Sequence, residues 1–96
     1  CQTNDRAEIC SISFSALARS VEHRDRIAAA LRANQIETRP LGGGNMSRQP
    51  FWSDRYGTME FPIADRIHTA AFQLPNHTLL GADDVHFICD TVLAVE

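Results

Sequence analysis

The segment between Pro40 and Pro50 constrains this chain most, because neither a helix nor a strand can run through it. Each proline lacks a backbone N–H and cannot continue regular structure. Between them, the glycine triplet at residues 42–44 lets the backbone turn sharply and lets a ligand come close. The next residues carry a dense set of hydrogen-bonding side chains: Asn45, Ser47, Arg48 and Gln49. This density fits a site for a polar, oxygen-rich ligand and fits a solvated surface turn equally well.

The composition is that of one small globular domain. The chain has 96 residues, of which 44% are hydrophobic and 22% charged, so disorder is not indicated. A formal charge of -3 without a basic patch argues against nucleic acid and anionic membranes as partners. We find no apolar run long enough to span a bilayer and no secretory signal, and we expect a cytoplasmic protein.

Cysteine and lysine usage narrow the chemistry. The 3 cysteines are an odd number, which argues against a disulfide framework, and Cys10 and Cys89 are predicted to be small buried hydrophobes. All 9 Lys and Arg residues are arginine, so no lysine is present to form a Schiff base with a carbonyl compound. The small size and the start at Cys1 lead us to expect a fragment, a processed product or an excised domain.

The first forty residues follow a strand–helix–strand pattern. Residues 9–16 alternate between apolar and polar, which predicts a half-buried strand. Its buried face would carry Cys10, Ile12, Phe14 and Ala16. Ser20 is placed as the N-cap of a helix over 21–34, and a second strand is expected over 36–41.

The second half predicts a helix–strand–helix order. Residues 53–61 have no regular pattern, and no helix is expected directly after the glycines. Pro62 can begin a short helix to residue 67, and residues 70–74 favour a third strand. The last segment has acidic residues at its start and one apolar helical face: Val85, Ile88, Cys89, Val92 and Leu93. The fold class is therefore α+β, a two-layer small domain with helices on one face of a small, mostly antiparallel sheet.

Several side chains are candidates for chemistry. Arg48 has a planar guanidinium suited to a phosphate or another bidentate ligand, and Arg39 ends a predicted strand. His77 lies just past the third strand. The alternatives are surface arginines or internal ion pairs, and an exposed turn histidine. No metal site is predicted, because His86 and Cys89, three residues apart, do not complete a tetrahedral set.

Two stretches flanking and including the glycines carry a resemblance to a known family. They are Ile36-Glu37-Thr38-Arg39-Pro40 and Gly43-Gly44-Asn45-Met46-Ser47-Arg48-Gln49-Pro50. The segment 24–31 precedes them, and Pro62-Ile63-Ala64-Asp65-Arg66-Ile67 and Leu74-Pro75-Asn76-His77 follow. In this order they resemble the C-terminal small domain of pyridoxal-phosphate-dependent sugar-nucleotide aminotransferases of the DegT type. The resemblance covers most of the chain.

This resemblance implies a fold-type-I enzyme whose missing large domain binds pyridoxal phosphate (PLP) and holds the catalytic residues. Asn45, Arg48 and Gln49 would line the nucleotide-sugar end of the active-site cleft, with Arg39 and His77 as further contacts. The parent would be a homodimer making deoxy- or amino-sugars. Gly42 stands where many sugar aminotransferases have histidine, which resembles the ketosugar 3-dehydratase branch and leaves both reactions open. The alternative function is a standalone α+β ligand- or protein-binding module without catalysis.

Overall fold

The computed structural model describes residue 6 and residues 11–96. Its elements, in chain order, are β1 Ser13–Leu17, α1 Val21–Ala33, β2 Arg39–Pro40, α2 Pro50–Tyr56, α3 Pro62–Ala70, β3 Ala71–Pro75 and α4 Ala82–Leu93. A 3₁₀ turn at Met46–Arg48 precedes α2. The three strands lie in the order β1-β3-β2 and pair antiparallel throughout. The predicted α+β class is confirmed.

The core lies where α1 and α4 meet one face of β3. Phe72 and Leu74 are two residues apart and therefore point to the same face of the strand. They pack with Ile27 and Leu31 of α1 and with Ile88 of α4. Leu31 is fully buried, so this contact between helix and sheet is the centre of the domain.

Helix α1 begins as predicted and ends in a way that shortens β2. The Ser20 hydroxyl accepts the His23 backbone N–H at 3.1 Å, which confirms the N-cap. At the other end Gln35 has a φ of 60°, and Ile36 N–H donates to the Leu31 carbonyl at 2.9 Å. This is the Schellman arrangement. It ties Ile36 to the helix, so the predicted strand over 36–41 was too long, and only Arg39–Pro40 pairs with β3.

The expected buried face of the first strand was wrong over part of its length. Ile12 is 96% exposed and Phe14 is also exposed, and of the three members of this set that the structure describes only Ala16 packs against the core. The reason is that β1 is an edge strand and the core contacts it only near Ala16. Residues 9 and 10, with the expectation for Cys10, lie outside the described residues.

Around the glycines the structure contains more helix than predicted. Residues 53–56, read as irregular, belong to α2, which has Pro50 at its first position. None of its residues is buried, so the apolar periodicity that reveals a helix is absent. Helix α3 runs to Ala70 rather than residue 67, and β3 is shifted one residue from its predicted bounds.

Helix α4 begins after Gly81, whose backbone N–H donates to the Asp84 carboxylate at 2.9 Å. The predicted core face of this helix was too wide. Ile88 is buried, but Cys89 is exposed and Leu93 is 79% exposed. The helix contacts the core along a narrow stripe of residues. Apolar residues at helical spacing mark the face of the helix but do not show how much of that face is buried.

Candidate functional site

The side chain of Asn45 is buried and fully hydrogen-bonded. Its Nδ2 donates to the Met59 carbonyl at 2.9 Å and to Asp65 Oδ1 at 2.7 Å. Its Oδ1 accepts the Ser47 backbone N–H at 3.0 Å. Asn45 is only 2% exposed, so its amide holds the glycine loop, residues 42–49, onto the start of α3 instead of facing solvent.

Ser47 ties the same loop to Met59 from the other side. The Ser47 hydroxyl accepts the Met59 backbone N–H at 3.0 Å. Its oxygen also lies 2.9 Å from the Met59 carbonyl and 2.8 Å from Asn45 Oδ1. A hydroxyl has one hydrogen and can donate to only one of these two acceptors at a time. The loop is therefore closed by buried side chains, which is the opposite of a solvated turn.

His68 of α3 fixes the backbone of the loop. Its Nδ1 accepts the Asn45 backbone N–H at 3.2 Å. This bond requires the tautomer that carries its hydrogen on Nε2. Together with Asp65, it makes α3 the platform on which the loop rests.

Arg48 is the partly exposed cation of the loop, and Asp65 holds it. Arg48 Nε lies 2.9 Å from Asp65 Oδ1, and Nη2 lies 2.8 Å from the same oxygen. The Arg48 side chain is 40% exposed and that of Asp65 20%. A guanidinium has five N–H groups in a planar fork, so this contact uses one edge and leaves the Nη1–Nη2 end for another acceptor.

Asp65 gathers hydrogen bonds on both of its oxygens. Besides Asn45 and Arg48 on Oδ1, the Phe61 backbone N–H donates to Oδ2 at 2.8 Å. The pKa of Asp65 is lowered chiefly by the Asn45 hydrogen bond. The Phe61 N–H and Arg48 lower it further, and partial desolvation acts in the opposite direction. The carboxylate is therefore held in its charged form.

Gln49 links the two ends of the loop. Its Nε2 donates to the Gly43 carbonyl at 3.2 Å, and its backbone N–H donates to the Met46 carbonyl at 3.1 Å. It precedes Pro50 at the start of α2. Asn45, Arg48 and Gln49 thus lie in one loop, and their contact with a substrate stays a prediction.

Arg39 and His77 lie elsewhere, in an open cleft of about 920 Å³ beside β2, the end of β3 and α4. Arg39 Nε and Nη2 lie 2.9 and 2.7 Å from Glu37 Oε1. His77 Nδ1 accepts the Leu79 N–H at 3.3 Å. No residue of the glycine loop lines this cleft. The five candidate residues therefore form two groups and not one.

Sequence reasoning missed the residues that organise the loop, above all Asp65 and His68. Asp65 lies in the segment 62–67 that carries the family resemblance, but the helix dipole alone explains an acidic residue in the first turn of α3. Its partners in the glycine loop, Arg48 and Asn45, are 17 and 20 residues away in the chain. No local pattern predicts such a contact.

Two classes of site find no support in residue 6 and residues 11–96. No group of three or more His, Cys, Asp or Glu side chains there is arranged to hold a metal ion. No helix in this part is long and apolar enough to cross a membrane.

Comparison with protein families matches residues 1–93 to one family. The chain belongs to the DegT/DnrJ/EryC1/StrS aminotransferase family. Members of this family are generally PLP-dependent. No curated protein and no solved structure gives a significant match.

The side chains of this chain provide no group that could hold PLP covalently as a Schiff base. All 9 of its Lys and Arg residues are arginine, so it has no lysine amine for a bond to the cofactor aldehyde. Its glycine loop also differs from a pure backbone cradle, because buried side chains fill its interior. The charged side chain that the loop exposes is that of Arg48, which is paired with Asp65.

Proposed function

We propose that this chain is the C-terminal small domain of a PLP-dependent enzyme that acts on a nucleotide-linked ketosugar, in the synthesis of deoxy- or amino-sugars. Membership of the aminotransferase family supports the cofactor class. The observation that carries the substrate class is the partly exposed guanidinium of Arg48, which Asp65 holds by its Nε–Nη2 edge.

The chemistry of the substrate matches that fork. A nucleotide sugar carries a diphosphate, and arginine binds phosphate oxygens through two parallel N–H groups. Because Asp65 contacts only the Nε–Nη2 edge, Arg48 can bind an oxyanion without giving up its internal ion pair. A surface arginine without such support would lose more side-chain entropy on binding.

The other candidate residues take different parts in this proposal. Asn45 shapes the loop from within, since its amide has no free hydrogen-bonding capacity. Gln49 lies beside Arg48 and closes the loop on Gly43. Arg39 and His77 would contact substrate only from the separate cleft.

In the proposed parent enzyme, PLP is held by a large domain outside these residues and supplies the electron sink for transfer of an amino group or removal of a hydroxyl. This domain contributes binding and orientation of the substrate. The parent is proposed to be a cytoplasmic homodimer. Many sugar aminotransferases have histidine at the position of Gly42. The proposal therefore includes 3-dehydration as well as aminotransfer.

Exposed apolar side chains favour a domain that packs on another over a standalone binding module. Phe51 is 65% exposed, Tyr56 61% and Ile63 79%. All three lie on α2 or at the start of α3, close in the chain to the glycine loop. Large apolar side chains exposed in this number are typical of surfaces that meet a partner.

The coding sequence upstream of this chain tests the domain assignment and the reaction branch. A preceding large domain with a cofactor-binding lysine would indicate an aminotransferase. A histidine at that position would indicate a dehydratase. A start codon next to this chain would overturn the domain assignment in favour of the binding module.

The substrate class is tested by Arg48→Ala in the enzyme that carries this chain, assayed with a nucleotide-linked ketosugar. We expect the KM to rise about tenfold or more, as for loss of one charge-assisted hydrogen-bonded pair. Arg32→Ala, on the exposed side of α1, is the matched control and should leave KM unchanged. An unchanged KM and kcat in Arg48→Ala would remove Arg48 from the site.

A further inference from the structure

One carboxylate oxygen, Asp65 Oδ1, receives both contacts of the Arg48 guanidinium and one of the Asn45 amide. Arg48 Nε and Nη2 lie 2.9 and 2.8 Å from it, and Asn45 Nδ2 lies 2.7 Å away. The opposite oxygen is occupied by the Phe61 N–H at 2.8 Å. The carboxylate therefore cannot rotate without breaking a hydrogen bond to the loop or to α3.

The contact of Asp65 with Arg48 is made along the side of the guanidinium. With Nε and Nη2 on one oxygen, the side edge of the guanidinium is held against Asp65. The unused Nη1–Nη2 end then points away from Asp65. This is the end that forms two parallel bonds with a phosphate.

We propose that Asp65 is a positioning residue, which aims the free end of Arg48 at an oxyanion such as the diphosphate of a nucleotide sugar. The inference rests on the proposed function for the identity of the anion. The orientation of Arg48 by Asp65 does not depend on the identity of the anion. Asp65 itself does not touch the substrate.

Simple electrostatics makes the opposite prediction, and this gives the test its power. A carboxylate beside Arg48 repels an incoming phosphate, so its removal should tighten anion binding if charge alone counts. If Asp65 positions Arg48, its removal should weaken binding, because the guanidinium must then be ordered by the ligand itself. The two explanations therefore predict changes of opposite sign in the affinity for the anion.

The first measurement is the affinity of the full chain for inorganic pyrophosphate and for UDP, GDP, CDP and dTDP, by calorimetry or NMR titration. For the ligand that binds best, we expect Asp65→Ala to raise Kd about tenfold. Asp65→Asn keeps an oxygen for Asn45 and Arg48, and we expect it to recover part of the lost affinity. A Kd that falls in both variants overturns the proposal.

A matched control separates position from net charge. Asp25 lies 2.8 Å from Arg24 Nε on α1 and has the same carboxylate at a different place. Asp25→Ala changes the net charge by the same amount and should leave Kd unchanged or slightly lower. A rise in Kd equal to that of Asp65→Ala would overturn positioning as the cause.

The second measurement needs no ligand and remains decisive if the proposed function fails. In the wild-type chain the Arg48 Nε–H should give a slowly exchanging NMR signal, since it is held in an ion pair. That signal should exchange fast in Asp65→Ala and stay protected in Asp65→Asn. An Arg48 signal unchanged in Asp65→Ala overturns the positioning role. If no diphosphate binds the wild type while this signal behaves as expected, the proposed substrate class fails and the orientation of Arg48 by Asp65 stands.

Discussion

Gly44 lies directly against the imidazole ring of His68. A methyl group added at the Gly44 Cα would come within 2.8 Å of both Cβ and Cγ of His68. Gly44 also has a φ of +53°, in the left-handed region that favours glycine. The loop therefore approaches α3 as closely as a backbone without a side chain allows, and this approach brings the Asn45 N–H onto His68.

Replacing Gly44 with alanine should destabilise the domain by about 2–4 kcal/mol, from the left-handed backbone and the clash with His68. Gly42→Ala is the control. Gly42 has nothing within 4 Å of an added Cβ and a φ outside the left-handed region. It should be neutral or stabilise by about 0.4–1 kcal/mol. Urea unfolding followed by circular dichroism measures both, and equal effects would contradict the close approach.

Combining Gly44→Ala with His68→Ala separates the two causes. The double variant lacks the ring, so the clash with Cγ is removed and that with His68 Cβ remains, beside the cost of the left-handed alanine, about 1–2 kcal/mol, and that of losing the ring. We therefore expect the two substitutions to be less than additive in the free energy of unfolding. Strict additivity would show that the ring and the glycine do not meet.

Asn45→Ala should destabilise the domain by about 3 kcal/mol, because it leaves the buried Ser47 N–H without its partner and removes one hydrogen bond each from the Met59 carbonyl and from Asp65. Asn34→Ala is the comparison. Asn34 is exposed and its amide donates one bond, to the Ala30 carbonyl. Its loss should cost below about 1 kcal/mol. Chemical denaturation at neutral pH distinguishes the two, and an Asn45 variant as stable as the Asn34 variant would place the Asn45 amide in solvent.

The lowered pKa of Asp65 predicts that the folded domain loses stability in acid. Its pKa is lower in the folded chain than the ordinary aspartate value of about 3.9, so it stabilises the folded state above that pH. This contribution is lost as the pH falls through the lowered pKa. The free energy of unfolding of wild type should therefore exceed that of Asp65→Asn at about pH 6, and the gap should narrow below about pH 4.

A second carboxylate, that of Glu22, contributes to the same loss of stability at low pH. The pKa of Glu22 is also lowered, first by its own backbone N–H and then by the Ser20 hydroxyl. Asp65→Asn should thus flatten the decline in stability without abolishing it. A gap between wild type and Asp65→Asn that is constant from pH 6 to pH 2, about the range in which carboxylates titrate, would contradict the lowered pKa of Asp65.

Two residues of α4 should respond very differently to substitution. Ile88 is 8% exposed and packs in the core, so Ile88→Ala should cost about 2–4 kcal/mol. Leu93 is 79% exposed, and Leu93→Asp should change the free energy of unfolding by less than about 0.5 kcal/mol. Thermal unfolding of both variants measures this. A large loss at Leu93 would restore the wide apolar face that the sequence suggested.

Local patterns predicted the elements well where one face of an element meets the core. The N-cap at Ser20, helix α1 and strand β3 lie close to their expected bounds. Helix α2 was missed, since its residues are not buried and show no apolar period. Strand β2 was overestimated, because the Schellman turn after α1 uses Ile36 for the helix end.

By itself, the sequence determined the α+β class, the family resemblance and the single loop that unites Asn45, Arg48 and Gln49. These follow from side-chain spacing and from neighbours in the chain. Only the tertiary structure decided that Asn45 is buried, that Asp65 and His68 of α3 hold the loop, and that Arg39 and His77 lie in a separate cleft. The contacts of Asn45 with Met59, Asp65 and His68 join residues 14–23 positions apart in the chain. Such contacts arise from how helices and strands pack, and side-chain periodicity along one element carries no record of them.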